Sequence, residues 1–326
     1  MNVSTPDNTE QHLPLIGISS CLLGEKVRFD GGHKQNAYIQ QTLGNYFRFR
    51  PFCPEVAIGL GIPRPTIKLI GSANGIICVD SKTGQKDFTR ALQESAEQQR
   101  DWHSQLCGYI FKKDSPSCGM ERVKVQISAD NPYSERNGRG IYAATFMDNF
   151  PLIPTEEEGR LGDPGLRENF IQRVYIYQRW CQLRASGLSK EKLFRFHSQH
   201  KLIVMSHHQN SVRQLGRLLA KSQHSNIDEL GDEYITMLTQ ALASPASRAN
   251  HVNTLEHIRG YLKNDLDKDD KQELTETLAQ YRQGHIPLIV PITLLRHHFR
   301  RQPDPFIEQS LYLHPYPAEM QLLNDI

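Results

Sequence analysis

The chain has 326 residues, with 38 Lys and Arg against 36 Asp and Glu, a length that is a prior for two domains at roughly one per 100–200 residues. Its 22 Gly and 18 Pro argue against a disordered or repetitive chain, and the net charge of +2 selects no class of partner. No apolar stretch approaches the roughly 18–20 residues that span a bilayer, and the opening MNVSTPDNTEQH lacks a basic-then-apolar export signal, so a cytoplasmic protein is expected.

Leu13–Ser19 reads as an apolar strand that runs into SSCLLG, with Gly24 and Asp30-Gly31-Gly32 supplying turns. Asn36–Tyr46 has helical spacing, and Phe47–Phe52 is a second strand ending at Cys53-Pro54-Glu55. Thr66–Gly71 and Gly75–Val79 form a hairpin around Ser72-Ala73-Asn74. Phe88–Leu106 is one long amphipathic helix, with Phe88, Ala91, Leu92 and Ala96 on a stripe. Tyr109–Phe111 is the next strand, followed by the turn-rich KKDSPSCG. This order predicts an α/β N-terminal domain over residues 1–154, with a doubly wound, mostly parallel sheet.

Residues 155–167, TEEEGRLGDPGLR, gather charge, Gly and Pro without periodicity and read as a linker, the Glu156–Glu158 run being solvated. Helical spacing then recurs over Asn169–Ser186, Ser189–Ser206, Asn210–Ser222, Ile227–Leu242, Ser247–Leu262 and Asp270–Gly284. An all-α C-terminal domain of about six helices, residues 168–326, follows. Pro287 and Pro291 bracket a short apolar segment, and the proline-rich tail is expected to be extended and to pack back across the surface. Charge is segregated here: Arg167 to Lys221 holds 11 basic residues against Glu168 and Glu191, and Asp228 to Glu276 holds 11 acidic against 5 basic.

Six cysteines without a CxxC pair, in a reducing compartment, suit ligands or nucleophiles better than disulfides. Cys21, Cys53 and Cys118 each follow an apolar run and sit in a turn of Ser, Pro or Gly. In a parallel sheet such turns share the carboxyl edge, where open α/β sheets place ligands, so topology alone brings the three thiols together. Turn amides there favour a thiolate. A lone strand-end cysteine is more often a small buried hydrophobe, the reading kept for Cys78, Cys107 and Cys181. Three in matching contexts point instead to a ligand set one short of a closed four-ligand site.

These residues carry a resemblance. SCLLGEKVRFDGGHK, FCPEVAIGLGIPRPTIKL and KKDSPSCGM are similar to the three signature segments of the thiouracil desulfidase family. EEEGRL, FHSQHKLIVMSH and QSLYLHPYPAEMQLLN resemble the YbgA-like domain fused to it in that family's long form. The resemblance implies a 4Fe-4S cluster held by Cys21, Cys53 and Cys118 with one iron open, and removal of sulfur from a thiolated uracil base or nucleotide without net redox change. It implies Glu55 as general acid/base and Ser115 as a hydroxyl that holds or relays the proton.

Ser20 and Ser117 are candidates to hydrogen-bond substrate, and Arg64, between two prolines, to pair with a substrate phosphate. The basic helices of residues 167–221 are a candidate RNA or nucleotide contact, unless the acidic helices after Asp228 neutralise them. His197, His200 and His207 lack the acidic partners of a metal site. Two other readings stay open: an RNA-binding protein with a structural or sensing cluster, and a hydrolase with zinc on the same thiolates.

Overall fold

The structure is a computed structural model that describes residues 13–73, 75–129, 131–220, 226–320 and 322–324. The opening segment read as free of an export signal, and Asn74 of the hairpin turn, lie outside the described residues. The chain divides after Gly162 into two compact units.

In chain order the first unit contains β1 (Leu15–Ser19), β2 (Arg48–Phe52), the one-turn α1 (Pro54–Ala57), β3 (Ile67–Ser72) and β4 (Gly75–Asp80). Next come α2 (Thr89–Gln98), α3 (Arg100–His103), β5 (Gly108–Phe111), β6 (Val123–Ser128), β7 (Asn131–Gly138), α4 (Ile141–Asn149) and β8 (Thr155–Glu157). One sheet is wholly parallel in the order β2-β1-β5-β8. Strands β1 and β5 are buried and read as unbroken apolar runs because both of their faces are covered. Pro51 sits in β2 at the sheet edge, where its missing N–H leaves no gap in the ladder. Strand order reverses about β1, so the loops after β1 and β5 leave the carboxyl edge in opposite directions and open a crevice.

The expected hairpin forms as β3 and β4, yet it lies outside the parallel sheet. It joins β6 and β7 in a mixed sheet, order β4-β3-β6-β7, which the sequence reading missed entirely. That sheet packs Leu69, Cys78, Val123 and Val125 against Phe88 and Leu92, so Cys78 is a core residue. The single helix expected over Phe88–Leu106 breaks at Gln99, and the turn carries Trp102 and His103 into an aromatic core. There His103 Nε2 and Tyr142 Oη lie 2.8 Å apart, and Tyr109 stacks on Phe111.

The expected linker is ordered structure. Thr155–Glu157 is β8, paired in parallel with β5, and Pro164 opens a helix. Glu156 and Glu157 are 5% and 6% exposed, which corrects the solvated reading of the acidic run. Each carboxylate of the run has a built-in partner. Glu156 accepts from Arg160 Nε at 2.6 Å, Glu157 from the Met120 amide at 2.7 Å, and Glu158 from Lys112 Nζ at 2.6 Å and the Lys113 amide at 2.7 Å.

The second unit is all-helical: α5 (Pro164–Ala185), α6 (Lys190–His207), α7 (Gln209–Ala220), α8 (Ile227–Ala241), α9 (Arg248–Arg259), α10 (Lys268–Gln283), α11 (Ile289–Arg301) and α12 (Pro305–Gln309). Asp163, Ser189, Asn226, Ser247 and Asp267 each cap a helix by accepting an amide N–H two or three residues on. Helix α6 packs against α7, α8 and α9 through Leu193, Phe196, Leu202 and Ile203. The unforeseen α11 contains Pro291 in its first turn, where an absent N–H breaks no helical bond. The tail packs back as expected, with Leu311 N–H donating to the Gln199 carbonyl and Tyr316 Oη to Glu168.

Candidate active site

Three loops at the carboxyl edge of the parallel sheet line one cavity of about 260 Å³. Cys21 enters from a tight turn after β1, Cys53 from the start of α1 directly after β2, and Cys118 from the loop after β5. Ser20, Glu55, Arg64 and Ser115 line the same cavity. Ser117 does not: it is fully buried behind the wall, which corrects its reading as a substrate contact.

The Cys118 loop is fixed from two sides. The first amides of α4 reach it, Ile141 N–H donating to the Pro116 carbonyl and Ala143 N–H to the Ser117 carbonyl. Gly140 permits this approach, since a Cβ there would lie 2.6 Å from the Ser117 carbonyl atoms. On the other side, Glu157 takes the Met120 amide just beyond the cysteine.

The catalytic candidates form one chain. Ser117 Oγ donates to Glu55 Oε1 at 2.6 Å and lies 3.0 Å from Ser115 Oγ, while the Cys118 amide donates to Ser115 Oγ at 3.1 Å. Arg64 has a task the sequence reading missed. Its Nε and Nη2 both donate to Glu55 Oε2, at 2.9 and 2.7 Å, and Nη1 donates to the Gly61 carbonyl. With three donors engaged and 8% exposure, Arg64 orients Glu55 instead of reaching for a phosphate. The sequence signal was available: Glu55 of CPE and Arg64 of PRP stand only nine residues apart.

Burial, with Cys53 alongside, pushes the Cys21 thiol up to about 11, against the pull of Lys112. Burial likewise raises Cys53, opposed by the amides of Val56 and Glu55 at the start of α1, and raises Cys118, opposed by the hydroxyls of Ser117 and Ser19. Each thiol is therefore neutral alone, yet each has groups placed to favour the thiolate once a cation replaces the proton. Arg28, Lys34, Arg64, Lys112 and Lys113 line the cavity against only Glu55 and Asp114, so its charge complements an anionic group. None of the six cysteines is in a disulfide. Among the described residues, no three His, Cys, Asp or Glu side chains converge closely enough to hold one metal ion.

Residues 16–158 match the family model described as 2-thiouracil desulfurase, and residues 201–317 match a family of unknown function, DUF1722. The chain joins a domain of the 2-thiouracil desulfurase family to a DUF1722, YbgA-like domain. Among individual proteins, it is 28% identical over 156 residues to the uncharacterised protein YbgA of Escherichia coli (strain K12), covering 48% of this chain and 92% of that one. It is 29% identical over 112 residues to the uncharacterised protein YbbK of Bacillus subtilis (strain 168), covering 32% and 73%. A solved structure, the [4Fe-4S]-dependent thiouracil desulfidase TudS, is 27% identical over 46% of this chain and 94% of its own, with a TM-score of 0.37. No described helix is long and apolar enough to cross a membrane.

Proposed function

We propose that the first unit is an iron-sulfur-dependent desulfidase that converts a thiolated uracil, C=S plus water, into uracil, C=O, and sulfide. The observation that carries this reading is the convergence of three thiols and the Glu55–Ser117–Ser115 chain on one cavity. Cys21, Cys53 and Cys118 would hold a 4Fe-4S cluster. They line the cavity from three separate loops, and a set of three thiolates suits iron-sulfur chemistry. When bound with three protein ligands, the cluster supplies a Lewis-acidic iron with an open position suited to soft sulfur.

Everything else falls to side chains. Glu55 takes a proton from the attacking water and returns it to the departing sulfur, with no change of oxidation state. Arg64 fixes one carboxylate oxygen, so the proton resides on the oxygen that faces Ser117. Ser117 and Ser115 extend that path to the cavity, Ser115 lining it and Ser117 sealed behind. Arg28 and Lys34 on the cavity wall close no ion pair among the described residues, which favours a nucleotide, with its phosphate, over the free base. A cytoplasmic setting suits six cysteines outside any disulfide.

Anaerobic reconstitution with iron and sulfide, followed by turnover of thiouracil, thiouridine and thio-UMP, tests this reading. Brown protein that releases sulfide from at least one of them is expected. Brown protein inert on all three would leave the RNA-binding reading with a structural cluster, and colourless zinc-replete protein would favour the hydrolase.

A further inference from the structure

The helical unit carries a concavity of a different kind. Between α5 and α6 runs an open groove of about 330 Å³, lined by Arg179, Gln182 and Leu183 of α5, Ser186 just beyond it, and Lys192, Arg195, Phe196 and Gln199 of α6. No carboxylate lines it.

Arg179 is the unusual member. Its Nη2 donates to the Pro315 carbonyl at 2.6 Å and its guanidinium lies 6.0 Å from the Tyr175 ring centre, but Nη1 is buried with no hydrogen-bond partner among the described residues. Burial holds its pKa down to about 10, and Tyr175 is the one neighbour acting to raise it. A half-buried guanidinium without a counter-ion is unfavourable unless an anion completes it. Arg195 is exposed and closes no ion pair among the described residues.

The other charges nearby are already engaged. Lys192 Nζ caps the end of α5 through the Ser186 and Gly187 carbonyls at 2.7 and 2.8 Å, cancelling the negative end of that helix. Arg184 pairs with Asp228 at 2.9 Å and Asp232 at 3.6 Å on α8, and Glu191 is bound to the Ser189 hydroxyl. The broad basic stretch of the sequence is thus partly neutralised, while Arg179 and Arg195 bring two guanidinium groups to one groove without an ion pair among the described residues.

We propose that the α5–α6 groove binds phosphate groups, either the monoester of a nucleotide or the diester backbone of an RNA strand. The exposed Arg195 guanidinium is a fork that suits phosphate oxygens, and the half-buried Arg179 adds positive charge beside it. This site belongs to the helical unit alone and is read as binding without turnover, so it stands or falls independently of desulfidase activity.

The test uses the full chain and fluorescence anisotropy with a fluorescein-labelled oligouridylate of about ten nucleotides, a length comfortably above single-strand site sizes. Arg195→Glu is expected to weaken binding about tenfold and to reduce the salt dependence by roughly one counterion, whereas Lys263→Glu, an exposed charge reversal elsewhere, leaves both unchanged. Arg179→Gln should weaken binding similarly, with circular dichroism checking its fold; should it unfold, Arg195→Glu decides alone. Displacement by UMP assigns the phosphate to a nucleotide, and displacement only by unlabelled oligomer assigns it to RNA. The proposal is overturned if no probe binds, if uridine competes as well as UMP, or if Arg195→Glu binds like the parent.

Discussion

In the first unit, three thiols, a carboxylate and two hydroxyls reach one sheet edge from three separate strand ends. In the second, inward-facing histidines meet separate neighbours, His200 Nδ1 the Phe196 carbonyl, His207 the Ser244 carbonyl and Gln172, and His251 Tyr312, while the Nε2 atoms of His200 and His298 are buried without a hydrogen-bond partner among the described residues. Both units bury titratable side chains, so burial does not separate a reactive site from a structural one. Convergence does. Parallel strands gather their carboxyl ends whatever the spacing in sequence, whereas a helical bundle distributes its inward-facing polar groups along its length.

The largest test of that contrast pairs two buried cysteines. Cys118→Ala should lose bound iron and more than about 100-fold of desulfidase activity, exceeding the usual cost of removing an outer-shell partner. Cys78→Ala, in the core of the mixed sheet, should keep both and lose only about 1 kcal/mol of stability. Iron content and sulfide release distinguish the two, and equal losses would erase the distinction between gathered and scattered thiols.

Glu55→Gln should come next, lowering kcat by about 100-fold or more while iron content stays constant, because the amide keeps the shape but cannot shuttle a proton. Ser117→Ala should reduce kcat by about tenfold, as expected of a group that acts through its neighbours. Ser117→Thr, which keeps the hydroxyl, should recover part of that loss. An unchanged rate in Ser117→Ala would mean that Glu55 and Ser115 work without the bridge between them.

The histidines sharpen the other side of the comparison. Burial lowers His197 and His207 to about 4 and His200 and His251 to about 3. They stay neutral in the fold while the unfolded chain takes up protons below about pH 6.5, so stability falls as pH drops from there toward 4. The slope is at most about 1.4 kcal/mol per pH unit for each histidine. The two tryptophans, Trp102 and Trp180, fall one in each unit and both are buried. In Trp102→Phe protein, urea unfolding followed at Trp180 should weaken steadily between pH 7 and 4.5; a flat profile would contradict neutral buried histidines.

The smallest effect concerns substrate choice. Lys34→Ala should raise KM for thio-UMP several-fold, as loss of one exposed charge contact would, and leave thiouracil turnover unchanged. An equal change for both substrates would place the phosphate elsewhere.

Sequence patterns exposed what is encoded locally: the apolar runs of β1 and β5, the alternating β2, the turns that carry the three cysteines, the β3–β4 hairpin and most of the helices. They missed what depends on distant pairing. Strand β8 is three residues, Thr-Glu-Glu, and its charges conceal a strand because their partners, Arg160 and the Met120 amide, are known only once the chain is folded. The β6–β7 pair carries irregular register shifts and polar residues on its exposed face, so alternation is faint. Arg64 and Ser117 were singled out, but as substrate contacts; their bonds to Glu55 arise from loops brought together in space.

Strand β8 also determines where the two halves can be separated. A first half severed at residue 154 would forfeit an edge of its parallel sheet together with the carboxylates that tether the Cys118 loop, whereas severing after Gly162 spares them. Shortened versions of this protein that fail to assemble their cofactor should therefore be checked first for this missing tripeptide, before any dependence on the helical half is inferred.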